Sequence, residues 1–522
     1  MRHKTLMIKK LKAALQVGNK ARIQTLLKKL NADGSSPEIL LQAAFFLFKD
    51  GDGFNQDALA IFDQGLSMNH QYADKAHALV REPFMQGHDD INQRILEVGI
   101  KYDPRCFSNL LELALVYIRR EQFDEAESLL LRTLEIDGTR YEPIVNLTDL
   151  YLKMNRYHDA FACAQLAVEI SPDPELAHYN LGIICMMTAR YKEAILSFEK
   201  VLQLNPEHAE ARISFGQLLL KAGNFDLGWQ QLEYRWNDKQ KINQIDLPLP
   251  KWEGQPLQGK GLIVWGDQGL GDSIMYACLL NRLIQSGCRV SVVCSRRLEN
   301  LFNDSFDLET YYSHGDNETI KISGNYQYQI SFGSLPTRLI RSFDDFAEGL
   351  PYIKANNHKV EQLKRQLQQR FPGKKLLGFT WRGGLSHTRK FARDTGLDIW
   401  QPLMAHPDYQ FINLQYDISP EDEKTIINMG GFISDVDCKN DLDGLAALIK
   451  SLDLVISADN TTVHLAGALG VPVWTLLPYS SEWRWFFEEE KTHWYQSMRL
   501  FHQQKLNEWQ GCFNQVEAAL FE

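Results

Sequence analysis

Phe123, Tyr157, Tyr191 and Phe225 stand 34 residues apart in this chain. Ala126, Ala160, Ala194 and Gly228 keep the same step, and so do Pro104, Gly138, Pro172 and Pro206 at the ends of the units. A fixed period of this length constrains the fold strongly. Each unit is one supersecondary element that cannot bury its apolar face alone, so the units must stack. Each unit holds two helical patterns. In one, Leu181, Gly182 and Cys185 mark the first helix, and Ala194, Phe198 and Val201 mark the second. The small residues let paired helices approach closely, and the aromatics fill the space between units. The period is clear over 107–236. It is worn over 36–106, where Asp57–Leu66 and Ile91–Pro104 read as second helices of degenerate units. Residues 1–35 read as N-terminal amphipathic helices. Their basic start lacks the apolar core and cleavage site of a signal peptide, so a solvated structural helix is expected there rather than a membrane anchor.

The period and its small and large positions resemble the tetratricopeptide repeat. That resemblance implies a curved α-solenoid whose concave face holds a peptide or protein segment. A protein partner on the solenoid is therefore expected, the other reading being a packing scaffold for the attached domain.

Residues 237–259 read as a linker, with Pro248, Pro250, Gly254 and Pro256 and no helical period. After it the texture changes. Short apolar runs at Leu262–Trp265, Val290–Cys294, Gln329–Phe332, Leu376–Thr380, Phe411–Leu414, Leu454–Ser457 and Val473–Leu477 alternate with helical segments. This is an α/β pattern with mostly parallel strands. A helix around His358–Arg370, ending at Pro372-Gly373, falls midway and would join two Rossmann-like halves, 260–372 and 373–522.

Composition narrows the partners. The 522 residues carry a net charge of −10, which argues against general nucleic-acid binding, since that needs a basic face. No apolar run approaches the length of a membrane span. The eight cysteines are scattered without a CxxC pair, so reduced thiols in a cytoplasmic protein are expected rather than a disulfide or zinc framework.

Three motifs carry the chemistry. In GLIVWGDQGLGDSIMYACLLNRL a strand runs into Gly266, Gly269 and Gly271, and a helix opens at Asp272 or Ser273. The glycines permit a tight turn and close ligand approach. The spacing is neither a dinucleotide GxGxxG nor a Walker loop. Asp272 is a candidate general base facing a cleft, or a helix cap. In GFTWRGGLSHTRKFARD, Arg382, Arg389, Lys390 and Arg393 lie on one loop after a strand, forming an anion clamp or a solvated basic loop. In LDLVISADNTTVHLAGALGVPVWTLLP, a strand is followed by Asp459, Asn460, Thr461 and Thr462 and then a helix around His464–Leu469. A helix that starts beyond a strand's carboxyl end is a ready anion site, so this turn reads as a phosphate cradle. Gln415, at a strand end, and Glu421 or Glu423 in SPEDEK are candidates for contacting a nucleoside. A capped helix beginning after Ser419-Pro420 explains the latter segment equally well. Trp483, Trp485 and Trp494 either wall a sugar pocket or pack inward from a surface helix.

Over about 260–510 these motifs, in this order, resemble glycosyltransferase family 9, the ADP-heptose:lipopolysaccharide heptosyltransferase family, and in particular the subgroup with N-terminal tetratricopeptide repeats. The likeness rests on GDQGLGDSIM, GFTWRGG, FINLQY, the stretch DLDGLAALIKSLDLVISADNTTVHLAGALGVPVWTLLPYSSEWRWF and the trailing HWYQSMRLF. It implies a GT-B fold, two Rossmann-like halves with a nucleotide sugar held in the cleft mainly by the C-terminal half. By that resemblance Asp272 is the base that deprotonates the acceptor. Asp459, Asn460, Thr461, Thr462 and His464 hold the donor diphosphate, and Arg382 with Lys390 or Arg393 neutralises the leaving phosphate; Gly269 and Gly271, which permit close ligand approach, are further candidates for the donor site. The donor turn departs from the family's usual Asp-Thr followed by small residues, and heptose-specific signatures are not evident. A helix N-terminus with arginine can replace a metal ion. No DxD-type pair stands at a strand end and no His/Cys ligand spacing is present, so no metal or other cofactor is expected beyond the nucleotide sugar as co-substrate.

The expectation is therefore a cytoplasmic, metal-independent, inverting glycosyltransferase. It would act on a protein or glycan acceptor, preferably a protein held by the repeats. The alternative is a non-catalytic repeat scaffold carrying a retired transferase domain.

Overall fold

The computed structural model describes residues 2–32, 35–51, 53–237, 245, 247–308, 310–314, 324–346, 349–383, 390–487 and 490–521. The chain divides into two compact units, 1–184 and 185–522. The division falls inside the repeat array rather than at the 237–259 linker.

The first unit is helical. Arg2–Gln16 and Lys20–Ala32 come first, followed by the pairs Pro37–Asp50 with Asn55–Met68, Lys75–Val80 with Asp89–Tyr102, Phe107–Arg119 with Phe123–Ile136, and Glu142–Lys153 with Tyr157–Ile170. The periodic alanines account for the pairing. Ala126 and Ala160 have no exposed surface, so each lets its helix lie close against a neighbour, while Phe123 and Tyr157 are half-buried. The same period marks the backbone of the turn between paired helices. Glu121, Asn155, Ala189 and Gly223 all have positive φ, from 57° to 77°. Only the last is glycine, so the helix pairing imposes a left-handed residue that the side chains there do not favour.

The second unit contains the remaining repeat helices, Tyr191–Leu204, Ala209–Lys221 and Phe225–Leu232, and two all-parallel sheets. The first sheet has the order β3-β2-β1-β4, from β1 (Gly261–Trp265), β2 (Arg289–Ser295), β3 (Thr310–His314) and β4 (Tyr328–Ser331). The second has the order β6-β5-β7-β8-β9, from β5 (Lys375–Thr380), β6 (Tyr409–Asn413), β7 (Leu454–Ala458), β8 (Val473–Leu477) and β9 (Met498–His502). The helix Asn357–Arg370 joins the two sheets, as its position in the sequence predicts. Both sheets are parallel and carry helices between strands, so their central strands are near-continuous apolar runs. All five residues of β1 and of β6 are buried.

Two strands escape that signature. β9 is interrupted, with Arg499 exposed between buried neighbours, because an edge strand is covered less completely than a central one. β3 is the edge of the first sheet and reads TYYSH. The described part of the linker is not free either. Leu247, Trp252 and Leu257 are buried. Lys251 bridges Gln329 alongside β4, with Trp252 N–H donating to the Gln329 carbonyl at 2.8 Å.

The repeat helices of this unit share its core. Phe225 packs edge-on against Phe486, and Trp229 against Trp483, with ring centroids 6.1 and 5.2 Å apart.

Candidate functional site

In each sheet the chain reverses its direction of strand addition beside a central strand, β1 in the first and between β5 and β7 in the second. Ligands of open parallel sheets bind beyond the carboxyl ends of the strands at such switch points. The three motifs follow β1, β5 and β7, so the fold gathers them at one place. A cleft of about 440 Å³ lies there, and Gly269, Gly271, Asp272, Arg393 and the whole turn Asp459–Thr462 with His464 line it.

Asp272 sits in the first turn of the helix Leu270–Tyr276, which starts after the glycine loop. Its Oδ2 accepts the Gly269 N–H at 3.2 Å, so the residue does cap its helix. Its Oδ1 accepts Arg484 Nη1 at 2.7 Å, and the carboxylate keeps 20% of its side-chain surface exposed. Gly271 sets how close this helix comes to the other half. A Cβ at that position would stand 3.0 Å from His464 Cδ2 and 3.6 Å from Thr461 Cα. The starts of the helices Leu270–Tyr276 and Thr461–Ala468 therefore meet across the cleft.

The turn after β7 is held from within. Asn460 caps the helix by accepting the Thr462 N–H at 2.9 Å. It donates its amide to Thr380 Oγ1 at 2.8 Å and to the Arg382 carbonyl at 3.1 Å, tying the end of β7 to the end of β5. Asp459 is buried, and its Oδ2 accepts the Trp485 indole N–H at 2.9 Å. Burial and the neighbouring Glu482 push its carboxyl above the ordinary carboxylate value, while Arg393 and Arg484 pull the other way. His464 is buried, stacked on Trp485 at 5.4 Å, with Nδ1 3.0 Å from the Tyr495 hydroxyl. Burial, with Arg484 and Arg393 nearby, holds its imidazole well below its ordinary value and hence neutral.

The basic loop divides its cations. Arg393 lines the cleft and donates from Nη1 to the Asp459 carbonyl at 3.0 Å. Gly383 leaves the space that its guanidinium fills, since a Cβ there would lie 3.0 Å from Arg393 Nε. Arg382, expected at the leaving phosphate, is not among the lining residues. Its Nη2 donates to the Asp417 carbonyl at 2.8 Å and to Asp422 Oδ2 at 3.2 Å, so an adjacent helix cap takes up its charge. Lys390 begins a short 3₁₀ turn, Lys390–Arg393. Its side chain and Arg389 lie outside the described residues.

The nucleoside candidates also stand apart from the cleft lining. Gln415 is buried, accepts the Arg382 N–H at 3.2 Å and donates to the Tyr416 carbonyl at 3.3 Å. Its amide thus closes the end of β6 and does not line the cleft. Glu421 is exposed in the first turn of Pro420–Asn428, a helix capped by Ser419 with Asp422 and Pro420 in its first turn. Tyr416, Leu442 and Leu445 line the cleft instead. The three tryptophans are buried and absent from that lining. They pack inward after β8, Trp483 and Trp485 from the short 3₁₀ turn Trp483–Trp485 and Trp494 from the segment that follows it.

Sequence reasoning passed over Arg484. It lies in a run that reads as an aromatic cluster, SEWRWFF. Arg484 Nη2 also pairs with Glu482 at 2.8 Å. Burial opposes its charge, but Asp272, Glu482 and Asp459 more than offset that, and the guanidinium is held above its ordinary value. Arg297 and Lys439 also line the cleft, Lys439 paired with Asp417 at 2.8 Å. Among the described residues no group of three or more His, Cys, Asp or Glu side chains is arranged to hold a metal ion.

Fold and site together define a repeat solenoid joined to a GT-B type pair of Rossmann-like halves. Residues 110–140, 142–174 and 176–208 match tetratricopeptide repeats, and residues 421–507 match glycosyltransferase family 9 (heptosyltransferase). The chain is a tetratricopeptide-repeat protein with a C-terminal glycosyltransferase family 9 domain, a domain of glycosyltransferase-type enzymes. It is similar to Protein FlbA of Caulobacter vibrioides, 25% identical over 433 residues that cover 72% of each chain. Over 189 residues, 36% of each chain, it is 23% identical to the BBSome complex member BBS4 of Bos taurus. A glycosyl transferase family 9 structure from Veillonella parvula aligns with 52% of this chain and 91% of its own, at 13% identity and a TM-score of 0.37. A MamA structure from Desulfovibrio magneticus aligns with 32% of this chain and 92% of its own, at 15% identity and a TM-score of 0.28. Among the described residues no helix is long and apolar enough to cross a membrane.

Proposed function

We propose that the second unit transfers a glycosyl group from a nucleotide sugar to an acceptor hydroxyl, with inversion and without a metal ion. The observation that carries this reading is one cleft in which the Asp272 carboxylate faces the start of the Thr461–Ala468 helix, with Arg393 and Arg484 beside it. Inverting transfer needs a base on one side of the anomeric carbon and charge stabilisation of the leaving group on the other. Asp272 takes the proton of the acceptor hydroxyl as its oxygen bonds to the anomeric carbon. The bond from that carbon to the diphosphate oxygen breaks, and the diphosphate leaves with the electron pair. The positive end of the Thr461–Ala468 helix and the guanidinium of Arg393 receive that charge. Tyr416, Leu442 and Leu445 offer the donor's nucleobase an apolar wall. The acceptor in this reading is a protein segment presented by the repeats, the usual service of such arrays.

The test is a thermal-shift screen of the full chain against UDP, GDP, ADP, CMP and dTDP, alone and as sugar conjugates. Stabilisation by one nucleotide, lost in Thr461→Ala, names the donor class. Asp272→Asn should still bind that nucleotide and transfer nothing. No response to any nucleotide would refute the reading and favour a scaffold with a retired domain.

A further inference from the structure

The reading above leaves a difficulty at its centre. Both Asp272 oxygens are taken, Oδ2 by the Gly269 N–H and Oδ1 by Arg484, so neither faces an acceptor hydroxyl unengaged. Asp272 and Arg484 lie 212 residues apart in sequence and come from opposite halves of the unit, so their pairing is a product of the closed fold.

The backbone that carries Arg484 is pinned on several sides. Lys221, from the repeat helix Ala209–Lys221, donates to the Ser481 carbonyl at 3.0 Å and to Ser481 Oγ at 2.7 Å. Trp494 Nε1 donates to the Arg484 carbonyl at 3.1 Å, and Trp485 is bonded to Asp459. The guanidinium is therefore the movable part. Two of its nitrogens are engaged, Nη1 on Asp272 and Nη2 on Glu482, while its buried Nε–H makes no hydrogen bond and remains to be offered. It stands close enough to His464 and Asp459 for its charge to be felt by both. Both belong to the turn and helix proposed to hold the diphosphate.

We infer that Arg484 is handed over: a diphosphate entering the cleft takes its guanidinium from Asp272, completing the anion site and releasing the base in the same movement. The inference rests on the proposed donor site. A diphosphate offers more negative charge and more acceptor oxygens than one carboxylate, and guanidinium binds such groups in a fork. Arg484 then acts as a positioning residue toward the base and as a contact to the donor. Until a diphosphate takes Arg484 the base stays engaged, so donor binding precedes acceptor deprotonation. The proton transfer itself is unchanged, from acceptor hydroxyl to Asp272.

The test uses inorganic pyrophosphate and the full chain in titration calorimetry, with Asp272→Asn, Arg484→Gln and the double variant, each checked by its melting curve. Asp272→Asn removes the competitor and should bind pyrophosphate at least fivefold more tightly than the unmodified protein. Arg484→Gln should bind at least tenfold more weakly. The double variant should show no gain over Arg484→Gln. Ordinary charge repulsion by Asp272 would persist without Arg484, so an equal gain in both backgrounds overturns the handover. So does pyrophosphate binding that neither single variant changes, and that result leaves the donor site standing. No pyrophosphate binding by any of the proteins overturns both. If Arg484→Gln does not fold, Arg484→Lys serves in its place. Glu482→Gln, which frees the other side of the guanidinium, should also tighten binding.

Discussion

The glycine loop that sets Asp272 in place hangs on a buried ion pair, and breaking it should be costly. Arg235 lies in the 3₁₀ turn Glu233–Asn237 and donates from Nε and Nη2 to Asp267 Oδ2 at 3.3 and 3.1 Å. It also bonds Ser334 Oγ at 2.7 Å and Glu233 at 2.5 Å. Asp267 keeps 1% of its side-chain surface exposed, and its Oδ1 accepts the Gly333 N–H at 3.0 Å. Burial already pushes its carboxyl above the ordinary range, with Arg235 pulling it down. Arg235→Met keeps most of the stem packing but leaves that carboxylate with one amide donor. Removing one partner of a buried pair costs about 3–5 kcal/mol, while the Ser334 hydroxyl keeps its bonds to Glu233 at 2.7 Å and Ser331 at 3.0 Å and adds no penalty. Protonation of Asp267 caps the total, so a loss of about 3–5 kcal/mol is expected. All 11 tryptophans lie at or beyond Trp229, so their fluorescence in a urea titration reports the second unit alone. The double variant Arg235→Met/Asp267→Asn should regain at least half of the loss, because removing both charges can approach neutrality. A loss below about 1 kcal/mol in the single variant, or no recovery in the double, would refute the reasoning.

Two further outcomes follow from the site. His464 has a depressed folded-state value, so its contribution to stability is fully present above about its unfolded value of 6.5 and is lost as pH falls from there toward the folded value. The fluorescence-detected urea midpoint should therefore drop between pH 7 and pH 5 more steeply in the unmodified protein than in His464→Gln. Parallel pH profiles would remove the assignment. Gly271→Ala gains up to about 1 kcal/mol of helix propensity but places its Cβ 3.0 Å from His464 Cδ2. Overpacking at such a contact costs about 1–3 kcal/mol, so a net loss of stability is expected, and a raised melting temperature would show that the halves can part freely.

The loops and strands differ in how much of them could be read in advance. The turn Asp459–Thr462 was legible because cap, turn and strand chemistry are local, and the structure puts Asn460 at the helix cap as that chemistry requires. The basic loop was legible as a loop, but not in its division of labour. Arg382 and Arg393 are alike in type and setting. Asp422 engages the first and the space beside Gly383 admits the second, and both partners act through the folded chain. Gln415 is a strand-end amide that a ligand or a backbone can equally satisfy, and here the backbone does so.

The sequence by itself determined the repeat array, the alternation of buried strands with helices and the three turns that follow β1, β5 and β7. These depend on periodicity and on interactions within a few residues. Only the tertiary structure decided which charges meet. Arg484 with Asp272, Arg235 with Asp267 and Lys221 with Ser481 join residues 212, 32 and 260 positions apart. Nothing local marks such pairs. They form because two parallel sheets and the last repeat helices bury their apolar faces in one core, and a buried charge must then find its partner wherever that packing has brought one.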